Sequence, residues 1–307
     1  MRLQTPCDRA GDLLVVSCQI YTSKGSSSKL TFNASYLPMK HNSANIRTPL
    51  AIANWKMAMT IAESLAFLRD FIPLAGDLLD RVDVILCPPA TAIHPLHRAL
   101  EATHPYASRI SLGAQDLSED PEIARTGQIS ASLLVEAGCR WVMLGHWEVR
   151  RHLGDDDATV NRKVHRALEA GLNPLLLVGP GAGESLPLGA VLANQLSRVL
   201  DGCDAGQVSR MAFIFEPETS IGQDAPASPR LAAQGCRSIR RWLGQAYGDR
   251  IAQGVRILYG GSVAPEYAAD LLASPDIDGL GASRQGRHPA SFAKIIRLVD
   301  QVKYPSF

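Results

Sequence analysis

Aromatic residues are scarce in this 307-residue chain, at 6%, and no apolar run approaches the roughly 20 residues that a membrane-spanning helix needs. Net charge is nearly absent as well. With 31 basic against 30 acidic side chains the formal charge is +1, so nothing electrostatic points to nucleic acid or an anionic membrane as a partner. The six cysteines (Cys7, Cys18, Cys87, Cys139, Cys203 and Cys236) form no C-x-x-C pair and no metal-ligand spacing. They are expected to be buried or free thiols of a reducing compartment, and with no credible targeting signal this points to the cytoplasm. What remains is ordinary globular material: 46% hydrophobic and 20% charged residues, at a mean hydropathy of −0.01. Such a chain can form one closed α/β barrel or two smaller domains.

Two regions differ in texture. Residues 1–48 carry the polar run Thr22-Ser23-Lys24-Gly25-Ser26-Ser27-Ser28 and one short apolar patch, Leu13 to Ile20. Asp8 and Asp12 precede that patch, where a signal peptide would carry positive charge. The segment is expected to be a poorly ordered N-terminal extension, with Met39 as a second candidate start. From residue 49 to 307 the text alternates between short apolar runs and longer segments of helical spacing. The runs are Leu50–Ala53, Val82–Cys87, Ile110–Ala114, Trp141–Leu144, Leu175–Val178, Met211–Phe215, Val255–Tyr259 and a weaker Ile277–Leu280. They are four to six residues long and rich in Val, Ile and Leu, as buried parallel strands are. The clearest helix is Asp156 to Ala170, with Val160, Val164, Ala167 and Leu168 on one face and Gly171 as its stop. Eight strand–helix units, roughly 30 residues apart, predict a single (β/α)8 barrel domain. A doubly wound open sheet is the alternative, but no G-x-G-x-x-G follows the first strand.

In such a barrel the chemistry sits where strands end. The first strand ends in Asn54-Trp55-Lys56-Met57, which places an ammonium in the mouth. The fourth ends in Gly145-His146-Trp147-Glu148, an imidazole able to donate to a carbonyl and a carboxylate able to pair with the lysine. The sixth ends in Glu216-Pro217, and a carboxylate leaving an apolar strand has its pKa raised by desolvation, as a general base at neutral pH requires. The seventh ends in Tyr259-Gly260-Gly261-Ser262-Val263, where backbone N–H groups can approach a phosphate closely. Together these groups suit proton transfer α to a carbonyl on a phosphorylated substrate, through an enediol(ate).

From Leu50 to Val302 the chain resembles the triosephosphate isomerase family. The motifs are Asn54-Trp55-Lys56-Met57, Gly113-Ala114-Gln115-Asp116, Thr126-Gly127, Trp141-Val142-Met143-Leu144-Gly145-His146, Glu216-Pro217, Ile221-Gly222 and Tyr259-Gly260-Gly261-Ser262-Val263, in the family's order. The resemblance implies a TIM barrel that interconverts D-glyceraldehyde 3-phosphate and dihydroxyacetone phosphate in glycolysis and gluconeogenesis. Glu216 would move the proton between carbons, His146 would polarise the carbonyl, and Lys56 would stabilise negative charge with Asn54 and Glu148 in support. Gly222, Ser262, Ser283 and Arg284 would bind the substrate phosphate. No metal or cofactor is implied. A homodimer is, with the loop holding Thr126-Gly127 reaching into the neighbour's site.

The chain also departs from the family. Trp147 stands where the family has Ser, and Val149-Arg150 where it has two arginines. The lid reads Pro217-Glu218-Thr219-Ser220-Ile221-Gly222-Gln223-Asp224 in place of Pro-Val-Trp-Ala-Ile-Gly-Thr-Gly, which adds two carboxylates that would weaken anion binding if they faced inward. Leu177-Val178-Gly179-Pro180 replaces Cys-Ile-Gly-Glu, and Gln128 replaces Glu. Ser283 and Arg284 replace two phosphate-binding glycines, and Ala225-Pro226-Ala227-Ser228-Pro229 after the lid and Gly286-Arg287-His288-Pro289 after the eighth strand resemble the branch that acts on four-carbon erythrulose phosphates. Isomerisation of such a ketose phosphate is one alternative function. A catalytically impaired paralogue that binds a phosphometabolite or a partner is another.

Overall fold

The strands are short because each has to cross only the barrel wall. β3 (Leu50–Asn54), β4 (Asp83–Cys87), β5 (Ile110–Ala114), β6 (Trp141–Leu144), β7 (Asn173–Val178), β8 (Ala212–Phe215), β9 (Arg256–Gly260) and β10 (Gly279–Ala282) follow the eight apolar runs of the sequence. They pair in parallel in the order β10-β3-β4-β5-β6-β7-β8-β9 and close into a barrel. In the computed structural model, residues 15–21, 27–33, 47–103, 109–121 and 124–305 are described. Within the unit Met1–Ile46, β1 (Val15–Tyr21) and β2 (Ser27–Asn33) form an antiparallel pair, Val15 opposite Asn33. Of the expected poorly ordered extension, residues 1–14, 22–26 and 34–46 lie outside the described residues.

Alternation along each strand divides the core in two. Leu50 and Ile52 of β3, Ile85 of β4, Met143 of β6, Leu175 and Leu177 of β7 and Ile214 of β8 fill the barrel interior. Their neighbours Ala51, Ala53, Val84, Leu86, Leu176, Val178, Phe213 and Phe215 face outward against the helices. The helices keep the expected faces. α5 (Asp157–Glu169) buries Val160, Val164, Ala167 and Leu168, and starts where the Asp156 carboxylate accepts from the Thr159 N–H at 2.7 Å. α8 (Pro229–Tyr247) buries Ala232, Cys236, Ile239 and Leu243, and α11 (Pro289–Lys303) buries Phe292, Ile295, Ile296 and Val299. Cys87, Cys139, Cys203 and Cys236 are free and buried.

The barrel's first and last strands are fixed to each other next to the site. Trp55, fully buried, donates from Nε1 to the Gly286 carbonyl at 2.9 Å and so fastens the end of β3 to the loop after β10. β10 is displaced two residues from its apolar run: Ile277 and Asp278 sit below the strand, and Gly279–Ala282 pairs with β3 instead. Gly279 permits this, because a Cβ there would stand 1.8 Å from the Leu50 carbonyl oxygen.

Candidate active site

The ends of β3, β6, β8, β9 and β10 converge on a cavity of about 270 Å³. Asn54, Lys56, Glu216, Gly222, Ser262, Ser283 and Arg284 all line it, together with Ile52, Met143, Leu177 and Ile214 from the barrel interior. His146 and Glu148 stand one step behind, in contact with the groups that do. The nine residues singled out in the sequence are therefore brought together.

Glu216 is 7% exposed, and its Oε2 is buried without a hydrogen-bond partner. Burial pushes its pKa up. The neighbouring His146 and Lys56 oppose that shift, and the Glu148 carboxylate adds to it. An unpaired carboxylate oxygen in an apolar mouth is costly to a fold and useful to a base. Gly260 makes the room for it, since a Cβ there would meet Ile214 Cγ2 at 2.9 Å and Glu216 Oε1 at 3.4 Å.

His146 caps the short helix α4 (Trp147–Leu153), its Nδ1 accepting from the Glu148 N–H at 3.1 Å. A bare lone pair on Nδ1 assigns the ring proton to Nε2, on the side of the base. Nε2 lies 3.5 Å from Glu216 Oε2. The next residue but one, Glu148, takes the Lys56 ammonium as an ion pair.

Lys56 sits in left-handed backbone, φ 51°, which costs a side-chain-bearing residue about 1 kcal/mol or more. The surroundings impose it. Its N–H donates to Asn54 Oδ1 at 2.9 Å, and its carbonyl accepts from Gln115 Nε2 at 2.8 Å. The same amide also reaches the Cys87 carbonyl at 3.0 Å. Among the described residues, Lys56, Met59 and Ser262 are the non-glycine residues at positive φ. Two of the three belong to the site, as strain retained for function would. Gln115 lies in a motif visible in the sequence, but its supporting role was not deduced there. Only the fold brings its amide to Lys56.

The lid leaves β8 through Pro217 and a 3-10 turn, Glu218–Ser220. It is tied down at its far end, where Ser262 Oγ donates to the Gln223 carbonyl at 2.8 Å and the Ala227 N–H donates to the Tyr259 hydroxyl at 2.8 Å. Of the two added carboxylates, Glu218 is not part of the cavity lining, whereas Asp224 stands at its rim. Glu218 is paired with Arg151, and Asp224 is fully exposed with an oxygen 3.9 Å from Arg284. The expected weakening of anion binding by inward-facing acids therefore does not arise from Glu218, and at Asp224 it is met by exposure to solvent and by the nearby Arg284 guanidinium. Trp147 packs on Gly181, where a Cβ would meet its ring at 3.2 Å. No group of three or more His, Cys, Asp or Glu side chains among the described residues is placed to hold a metal ion.

Comparison with known proteins agrees with this geometry. A family model described as triosephosphate isomerase matches residues 49–299. The triosephosphate isomerase of Symbiobacterium thermophilum is 40% identical over 255 residues, spanning 81% of this chain and 96% of that protein. That of Chloroflexus aurantiacus is 39% identical over 256 residues, spanning 82% and 99%. The crystal structure of triosephosphate isomerase from Bartonella henselae superposes with a TM-score of 0.70 at 31% identity, covering 82% of this chain and 98% of that one.

Proposed function

The chain belongs to the triosephosphate isomerase family, and we propose that Glu216, His146 and Lys56 interconvert D-glyceraldehyde 3-phosphate and dihydroxyacetone phosphate. The observation that carries the assignment of roles is the buried carboxylate of Glu216, whose bare oxygen lies 3.5 Å from the His146 nitrogen that bears the proton. Glu216 removes a proton from the carbon next to the carbonyl and returns it to the neighbouring carbon. His146 Nε2–H donates to the carbonyl oxygen and passes the proton between the two oxygens. The Lys56 ammonium, held by Glu148 and Asn54, stabilises the enediolate charge as it develops. The proton moves within the substrate and the enzyme, so the step calls for neither metal nor cofactor.

Gly222 of the lid, Ser262 and Ser283 form the phosphate cradle, and the exposed Arg284 supplies positive charge at its rim. The curated relatives bear the name of the three-carbon enzyme, which favours the triose over an erythrulose phosphate. The assembled base, acid and ammonium argue against an impaired paralogue. A homodimer fits the exposure of Met57, 99% accessible beside Lys56 and within reach of a neighbouring subunit's loop. Residues 1–46 are proposed as an N-terminal extension, two residues shorter than the sequence suggested because Arg47 is bonded to Asp278 of the barrel unit. A cytoplasmic location is consistent with the four buried free thiols, and no helix among the described residues is long and apolar enough to cross a membrane.

The test is an isomerase assay offering dihydroxyacetone phosphate and an erythrulose phosphate side by side. A kcat/KM above about 10⁴ M⁻¹s⁻¹ for the triose, within the usual enzyme range, is expected. Preference for the tetrose would name the other branch, and activity on neither would reject the isomerase reading.

A further inference from the structure

Several departures from the family pattern are far apart in sequence, at Trp147, Leu177–Pro180 and Glu218–Thr219, yet they meet in space. Trp147 opens α4, the loop after β7 runs on through Gly179 and Pro180, and Glu218 begins the turn of the lid. A Cβ on Gly181 would contact both the Trp147 ring, at 3.2 Å, and Glu218 Oε2, at 3.5 Å. The Glu218 carboxylate accepts from the Ala182 N–H at 2.5 Å and pairs with the Arg151 guanidinium of α4. Its own N–H donates to the Pro180 carbonyl at 3.0 Å. Arg150, from the same helix, lies 5.6 Å over the Trp147 ring.

Glu218 is two residues beyond Glu216, with Pro217 between them fixing one dihedral. The lid hinge therefore cannot turn without breaking a charge-assisted bond to Ala182. That bond, more than the exposed arginine, holds the Glu218 carboxyl below the usual carboxylate range, so the clasp is ionised at neutral pH. The hinge has Thr219 where the family has Trp, and the facing loop has Pro180 where the family has Glu. A different fastening now stands in the same place.

We infer that Glu218 is a positioning residue: clasped by Ala182 N–H and Arg151, with Trp147 as backing, it fixes the hinge from which Glu216 is presented to the substrate. The inference rests on the reading of Glu216 as the base.

The experiment measures kcat, KM, the thermal midpoint and the fraction of product carrying solvent deuterium in D₂O. It compares the full chain with Glu218→Ala, Glu218→Gln and Arg151→Ala. Glu218→Ala is expected to lower kcat about tenfold with KM within about twofold, because misplacing a base by a fraction of an ångström costs about that much. Its deuterium fraction should rise, since a loosened hinge gives the enediolate longer contact with solvent. Glu218→Gln keeps an oxygen for the Ala182 N–H and should recover most of the loss, while Arg151→Ala should cost about threefold. Arg151 is exposed, so that variant reads the clasp even if Glu218→Ala does not fold. Unchanged kcat and deuterium fraction in Glu218→Ala, or in Arg151→Ala where the former is unfolded, overturn the inference. A kcat loss that merely follows loss of folded protein overturns it too. A wild-type chain without isomerase activity would reject the proposed function, and this inference with it.

Discussion

The two ends of this barrel treat buried charge in opposite ways. At the N-terminal end of the strands, Asp278 is buried but fully engaged. It accepts from Arg47 Nε at 2.6 Å, from Arg240 at 2.6 Å and from the Ile257 N–H at 2.8 Å. Asp83 on the same end takes Arg256 at 2.7 Å. Beside the C-terminal mouth, Lys163 is buried among Asp116 and Asp155 in the same satisfied manner. In the mouth itself, Glu216 is just as buried, yet one of its oxygens accepts no hydrogen bond. Lys56 and Ser262 around it hold left-handed backbone. The lesson is that this sequence can satisfy a buried carboxylate and does so repeatedly. Asp300 Oδ1 also lacks a hydrogen bond but lies 2.7 Å from the Arg81 guanidinium, whereas under the proposed mechanism the bare oxygen of Glu216 serves the reaction, because a pKa raised by desolvation makes a carboxylate a base near neutral pH.

The comparison breaks most visibly at Glu216. Glu216→Gln keeps the shape and removes the base, so kcat should fall by about 10²–10⁴-fold with no loss of thermal stability. A fall of less than tenfold in steady-state assays would show that another group takes the proton. At the other end the outcome is reversed. Asp278→Ala strips the partner from two arginines and should cost about 3–5 kcal/mol in denaturant unfolding, while kcat per folded molecule stays near wild type. The smallest effect is expected at the rim. Arg284→Gly should shift the ratio of kcat/KM toward the triose over an erythrulose phosphate by about threefold, and an unchanged ratio would remove this side chain from the specificity argument.

Much of this organisation is legible in the sequence, for a physical reason. A barrel strand must be apolar on both faces, so the runs at 50, 83, 110, 141, 175 and 212 mark themselves, and residues just after several of them make up the candidate site. Lys56, His146 and Glu216 are therefore found by position. β10 is the exception, because Gly279-Leu280-Gly281-Ala282 has little strand propensity and its place is fixed by close approach to β3. The hinge clasp is not legible either. Trp147, Ala182 and Glu218 look like separate substitutions until the fold brings three loops together. The placement of Glu218 outside the cavity lining and of Asp224 at its rim likewise goes with partners, Arg151 and Arg284, that lie 67 and 60 positions distant in sequence.

The central claim, that the mouth tolerates an unfavourable carboxylate which the rest of the barrel would have paired, is open to one direct measurement. A carboxylate whose folded-state pKa is raised binds its proton more tightly when folded, so its ionisation costs stability as pH rises from the unfolded value, about 4.3, through the folded one. Denaturant unfolding of wild type and Glu216→Gln from pH 4 to pH 8 reads that cost. The two should be nearly equal at pH 4, where Glu216 is protonated, with the variant becoming the more stable as pH rises. A wild type that gains on the variant with rising pH would mean that Glu216 is stabilised as an anion, and would contradict the account.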